Sequence, residues 1–106
     1  MPEIRLSPKE RQTLKARAHG IKPVVLLGHA GLSAAVLKEI DRALAAHELI
    51  KVRAPGDDRE QRDSVFAEIA DTLSAARVQA IGKLLVLYRP APETEQPTAA
   101  PARDRS

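Results

Sequence analysis

The chain has 106 residues, enough for one small domain, and its 43% hydrophobic and 2% aromatic content predicts a core of aliphatic side chains. It has no cysteine, which excludes disulfides, thiolate metal sites and a cysteine nucleophile. The formal net charge of +3 is unevenly spread, because residues 1–23 contain six Lys and Arg but only two Glu, and this excess favours an anionic partner.

The first predicted element is a helix from Ser7 to about His19. Ser7-Pro8-Lys9-Glu10 combines a capping serine, a proline suited to the first helical position and a glutamate three residues after the cap. Its apolar stripe is thin, so most of the helix is expected to face water or a ligand. The basic residues of this helix and of the segment after it are candidate phosphate contacts: Lys9, Arg11, Lys15, Arg17 and Lys22.

A short apolar run, Pro-Val-Val-Leu-Leu at 23–27, predicts a strand buried on both faces of a parallel or mixed sheet. The loop Gly28-His29-Ala30-Gly31 follows it. Residues 32–47 then place apolar side chains at helical spacing, with Ser33 as the expected cap.

This loop is the main candidate binding site. Between a strand and a helix N-terminus, its backbone N–H groups and the positive helix end would face one point, which suits an anion. Glycines at both ends would admit a phosphate backbone, as in the GxxG loop of KH-type domains, and His29 could touch a phosphate. A purely structural turn would use the same glycines. The loop lacks the P-loop lysine and the third glycine of a dinucleotide site, so no small nucleotide ligand is expected.

The second half of the chain predicts three strands and one helix. Residues 49–54 alternate, with Ile50 and Val52 on one face and Lys51 and Arg53 on the other, which predicts a half-buried strand. Lys51 and Arg53 would extend the phosphate-binding surface. Asp57 and Asp58 then open a helix, and residues 77–81 and 84–89 form a hairpin at Gly82-Lys83.

Residues 91–106 contain three prolines and no apolar periodicity, which predicts a disordered tail after a single domain of residues 1–90.

Neither catalysis nor a metal or other cofactor is expected. The three histidines lack metal-ligand spacing, and the acidic pairs Glu39 with Asp41 and Asp57 with Asp58 suit a helix surface and a helix N-terminus. The sequence has no apolar run near the roughly 20 residues that span a bilayer and no apolar stretch at its N-terminus. We therefore expect a cytoplasmic protein without a membrane partner.

Five ordered segments resemble one known family, the CRM domain, named for chloroplast RNA splicing and ribosome maturation. The likeness is closest to its free-standing bacterial form, the YhbY-like proteins, and extends over about residues 7–90. The segments that carry it are residues 14–19, the Lys-Pro-Val-Val-Leu-Leu-Gly run at 22–28, Gly31-Leu32, and residues 47–52 and 79–90.

The resemblance implies an α/β, KH-like fold, similar to the C-terminal domain of bacterial initiation factor three. Its elements would follow the order α-β-α-β-α-β-β, with three helices on a mixed four-stranded sheet. It also implies binding to ribosomal RNA in precursors of the large ribosomal subunit. In the family the two middle residues of the GxxG loop are commonly polar or basic. Ala30 departs from this pattern. The backbone clamp is therefore still expected, but a side-chain contact at that position is not.

Three functions remain open. The first is a non-enzymatic RNA-binding factor in large-subunit assembly that grips the RNA backbone with residues 28–31 and the basic helix. The second is a protein-interaction module that docks on ribosomal proteins or assembly factors, with the basic helix only solvated. The third, a binder of double-stranded DNA, would need a recognition helix for the major groove, and the sequence shows none.

Overall fold

Each helix begins at a capping residue that the sequence predicts. Ser7 Oγ accepts a hydrogen bond from the backbone N–H of Glu10 at 3.1 Å, and Glu10 Oε1 accepts one from the N–H of Ser7 at 2.9 Å, which completes a capping box. Ser33 Oγ caps the second helix, and Asp58 Oδ1 caps the third. Local side-chain chemistry therefore fixes where the helices start.

The computed structural model describes residues 3–28, 32–54 and 58–90. The order α-β-α-β-α-β-β is the one expected. The elements are α1 Pro8–Ala18, β1 Pro23–Leu26, α2 Ala34–His47, β2 Leu49–Arg53, α3 Arg59–Leu73, β3 Ala76–Ile81 and β4 Leu84–Tyr88. The prediction of a disordered tail concerns residues outside the described ranges, as does the expected helix residue Asp57.

The four strands form one mixed sheet in the order β1-β2-β4-β3. β1 pairs with β2 in parallel, and both other pairings are antiparallel. β3 and β4 form the predicted hairpin, in which Gly82 adopts a φ of 56° that glycine tolerates without strain. Leu26, Arg53, Leu84 and Ile81 are successive partners, so they form one row across all four strands.

Helices cover the two faces of the sheet unequally. On one face, α2 and α3 bury Ile40, Leu44 and Ile69 in a cluster with Ile50 and Leu87 of the sheet. On the other, here called the α1 face, a smaller cluster combines two residues of α1 with three of the strands: Leu14, Ala18, Leu49, Val78 and Val86. Of the described helices, only α1 packs on this second face, with Leu6 and Ile21 beside it, at the end of the sheet where Leu49 and Tyr88 lie.

The burial predicted for β1 is wrong. β1 is an edge strand, and Val24 and Leu26 on its α1 face are 45% and 68% exposed, while Val25 on the other face is buried. α1 packs on β2 and β3 and leaves this face of β1 uncovered.

The half-buried character predicted for β2 is also wrong. β2 lies between β1 and β4, and its first four residues are all buried. Lys51 was expected to face outward; it does lie on the α1 face but is only 8% exposed, because α1 packs beside it. Arg53, two residues further along the strand, is exposed as predicted.

Candidate nucleic-acid interface

The candidate phosphate contacts lie on or next to the α1 face. Leu14 and Ala18 turn inward from α1, which leaves Lys9, Arg11 and Arg17 exposed and Lys15 half-buried. Lys22, just before β1, is exposed as well. Among the described residues, none of these five cations forms a salt bridge with a carboxylate. Their charge is therefore available to an anionic ligand.

The glycine loop is described only at its first residue. Gly28 is exposed and follows β1 at the end of the sheet remote from α1. A Cβ built on Gly28 would meet no atom within 4 Å, so a side chain could be placed there without a clash. His29, Ala30 and Gly31 lie outside the described residues, and the backbone clamp remains a prediction.

The sheet separates the basic residues near α1 from the glycine loop, although Lys22 and Gly28 are close together in the sequence. β1 lies between Lys22, at the end near α1, and Gly28, at the other end. These two residues are separated by about 20 Å at roughly 3.3 Å per residue. The α1 face between them is not covered by any described helix. It exposes the three large hydrophobic residues with the greatest accessibility in the described part of the chain, Val24, Leu26 and Ile81.

Lys51 lies beside this uncovered region. It is on the α1 face, one row of residues closer to α1 than Arg53, and its partner in β4 is Val86. At 8% exposure it has no carboxylate partner within the described ranges. An unpaired ammonium group loses hydration when it is buried, so an anion next to it would offset that cost.

A shallow hollow at the other end of the α1 face has a volume of about 270 Å³ and is lined by Lys9, Glu10, Thr13, Leu14 and Tyr88. The Tyr88 ring packs against the small cluster under α1. Burial, followed by the nearby Glu48 carboxylate, raises the pKa of the Tyr88 hydroxyl above its usual value, which keeps it neutral.

Two of the four acids considered for catalysis have structural contacts. Asp41 accepts a 2.6 Å hydrogen bond from Arg89 Nη1, and Asp58 caps α3. Within the described ranges no three His, Cys, Asp or Glu residues are grouped so as to hold a metal ion. None of the described helices has the length and apolar character needed to cross a membrane.

The exposure of Val24 and Leu26 is unexpected from the sequence, because the apolar run at 23–27 favours a strand buried on both faces. One signal was present: Pro23 opens the strand, and proline within a sheet is confined to edge strands, first positions and bulges. β1 has all three features, since it is an edge strand that starts at Pro23 and has an irregular register between Pro23 and Val25.

Known proteins have sequences similar to this chain, and a solved structure has a similar fold. The model of the CRS1 / YhbY (CRM) domain family matches residues 6–89. A Haemophilus influenzae protein named "RNA-binding protein" is 50% identical over 90 residues, covering 85% of this chain and 91% of that protein. Bacillus subtilis "Probable RNA-binding protein YqeI" is 32% identical over 91 residues, covering 86% and 95%. The solution structure of SAV1595, a candidate RNA-binding protein of Staphylococcus aureus, has a TM-score of 0.75 at 28% identity and covers 86% and 95%.

Proposed function

The chain belongs to the CRS1/YhbY (CRM) domain family, and on that premise we propose that it is a non-enzymatic, cytoplasmic RNA-binding protein. The observation that carries the proposal is the group of cations on and beside α1 that have no salt bridge in the described part of the chain. Arginine and lysine side chains of this kind bind a phosphate backbone by displacing its condensed counterions. The names of the relatives support the same ligand.

The finer proposal concerns which RNA is bound and how. Residues 28–31 hold the RNA backbone with their N–H groups at the start of α2, and α1 supplies phosphate contacts at the other end of the sheet. The RNA is ribosomal RNA of the large subunit, and the protein acts in assembly of that subunit. This RNA is the one that the family resemblance implies.

The double substitution Gly28→Asp and Gly31→Asp tests the clamp. The open space around Gly28 accepts a side chain, and two carboxylates would repel phosphate, so we expect the affinity for a ribosomal RNA fragment to be lost while the thermal midpoint stays unchanged. Gln61→Glu with Ser64→Asp is the matched control. It adds two negative charges at exposed positions of α3, across the sheet from α1. Equal affinities of the two double variants would exclude the clamp.

The identity of the RNA is tested in growing cells. The protein is crosslinked to RNA with ultraviolet light, and the bound fragments are sequenced. We expect fragments of large-subunit ribosomal RNA to be enriched over their cellular abundance. If the fragments came from other RNAs, the assembly role would be wrong while RNA binding would stand.

A further inference from the structure

The uncovered part of the α1 face forms a continuous surface between the two proposed phosphate-binding features. It consists of Val24 and Leu26 of β1, Arg53 of β2, Leu84 of β4 and Ile81 of β3, and is here called the open sheet surface. Leu26, Arg53, Leu84 and Ile81 are the row of paired residues across the sheet. Of the five residues of the surface, Leu84 is partly buried and the other four are exposed. An RNA strand that reached from α1 to Gly28 along this face would have to cross it.

The chemistry of this surface favours RNA over a protein as its occupant. Its apolar side chains are interrupted by Arg53, and the next row toward α1 contains Lys51. The strand residues that point to the α1 face include these two cations and no acid. α1 continues the positive charge at one end, so an anionic strand is attracted along the whole face.

Lys51 gives independent support for an anionic occupant. Lys51 is 8% exposed, lies next to the open sheet surface and has no carboxylate partner among the described residues. A phosphate placed beside Arg53 would be near Lys51 as well, since the two residues are neighbours on one face of β2. The surface thus combines cations for the backbone with aliphatic side chains that suit the faces of unpaired bases.

We propose that the open sheet surface binds unpaired bases of the RNA, which pack on Val24, Leu26, Ile81 and Leu84 while Arg53 and Lys51 contact the adjoining phosphates. The inference rests on the proposed function. In this arrangement the bases contribute to the binding affinity, in addition to the contribution of the backbone clamp. Double-stranded RNA would lose the contribution of the bases, because its base faces are stacked and inaccessible.

The test compares two single-stranded RNAs of about 12 nucleotides, a length in the range that small single-strand binding domains occupy. One has a mixed sequence, and the other has the same backbone without bases in its central part. Affinities are measured by fluorescence anisotropy at several salt concentrations. We expect the full-length chain to bind the base-containing RNA about tenfold more tightly, the ratio that removing roughly 55 Å² of apolar surface from water would give.

Leu26→Ser with Ile81→Ser removes two exposed apolar side chains and should leave the fold intact. We expect this variant to lose the tenfold preference and to keep the salt dependence of the unchanged chain, because no charge is removed. Arg17→Gln is the contrasting control. It should weaken the binding of both RNAs by the same factor and keep the preference for the base-containing RNA. Leu26→Tyr provides a gain of function: an aromatic ring at this exposed position should increase the preference by stacking, by about threefold.

The outcomes separate this inference from the proposed function. If the unchanged chain binds neither RNA, and no ribosomal RNA fragment either, the proposed function fails. If it binds both RNAs equally, or if the double serine variant and Leu26→Tyr leave the preference unchanged, the open sheet surface does not bind bases and RNA binding by the other groups stands.

Discussion

Arg89 joins three parts of the fold through one guanidinium group. Its Nη1 donates to Asp41 Oδ1 at 2.6 Å and to the carbonyl of Leu73 at 3.0 Å, and its Nη2 donates to the carbonyl of Asp41 at 3.1 Å. The end of β4 is thereby tied to the middle of α2 and to the last residue of α3. One of these acceptors, the Leu73 carbonyl, is among the last four of its helix and has no partner within that helix.

Arg89→Ala should lower the free energy of unfolding by about 2 kcal/mol, because it removes the donor of the Leu73 carbonyl and of the Asp41 carboxylate. Urea denaturation measures this loss. Arg53→Ala is the control, since Arg53 is exposed and its side chain has no hydrogen bond within the described residues. Its effect should stay within about 0.5 kcal/mol. If the two variants were equally stable, the Arg89 contacts would contribute nothing to stability.

The stability of the N-terminal cap of α1 depends on pH through the carboxylate of Glu10. The backbone N–H of Ser7, and then its side chain, donate to the Glu10 carboxylate and lower its pKa below the ordinary value of 4.5. A lowered folded-state pKa stabilises the fold above the unfolded-state value, and this stabilisation is lost as the pH falls through the folded-state value. The group therefore acts only on the acid limb of the stability profile.

Glu10→Gln should lower stability at pH 7 and have a smaller effect at pH 3, where a larger fraction of the glutamate is protonated. Denaturant midpoints of both proteins at the two pH values measure the difference. A difference of the same size at both values would show that the carboxylate charge does not stabilise the cap.

At the scale of elements, α1 packs on the sheet through Leu14 and Ala18, and its outer side is basic. Lys15 and Arg17 lie in its last turn, and the cap of α2 and the end of β1 lie at the other end of the sheet. α1 can therefore contact phosphates that are separate from those of the proposed clamp at Gly28. Each such contact contributes to the salt dependence of binding and carries no sequence information.

Lys15→Gln and Arg17→Gln should each reduce the slope of log affinity against log salt by about 0.7 to 0.9, for RNAs of any sequence. Binding isotherms between low and moderate salt measure this slope. Arg42→Gln, at an exposed position of α2 across the sheet, should leave it unchanged. A slope that fell equally in all three variants would indicate general attraction to the charged protein and no defined contact by α1.

The sequence predicted the type and order of every element but not the burial of β1 and β2. Alternation in residues 49–53 reports the polarity of the side chains, whereas burial depends on what lies over them. α1 covers Lys51 and fails to reach Leu26, and neither fact has a local signal. Helix caps were predictable because they depend on residues three positions apart, such as Ser7 and Glu10.

At the scale of the whole molecule, contacts between distant parts of the chain lay beyond the sequence analysis. Arg77 forms a bidentate ion pair with Glu3 across 74 residues, at 2.7 and 3.0 Å. The position of α1 at one end of the sheet likewise depends on the cluster of Leu14 and Ala18 with three strand residues. The candidate cations were predicted residue by residue, but their distance from Gly28 required the topology of the sheet.

Removal of residues 91–106 tests the predicted domain boundary. The last described strand ends at Tyr88, and the composition after Pro90 offers few apolar groups for a core. We expect the shortened chain to unfold within about 2 °C of the full chain, a shift that corresponds to well under 1 kcal/mol. Calorimetry measures this shift. A larger loss would show that the tail packs on the domain.

The last strand of the fold is an inner strand. β4 pairs with β2 on one side and with β3 on the other, and its Val86 and Leu87 belong to the clusters on opposite faces of the sheet. A ribosome that makes this chain releases β4 after the other described elements, so neither core can close until β4 has been made. A chain interrupted before β4 leaves one edge of β2 unpaired, and such an edge invites aggregation or proteolysis. Folding of the domain therefore depends on its last described strand.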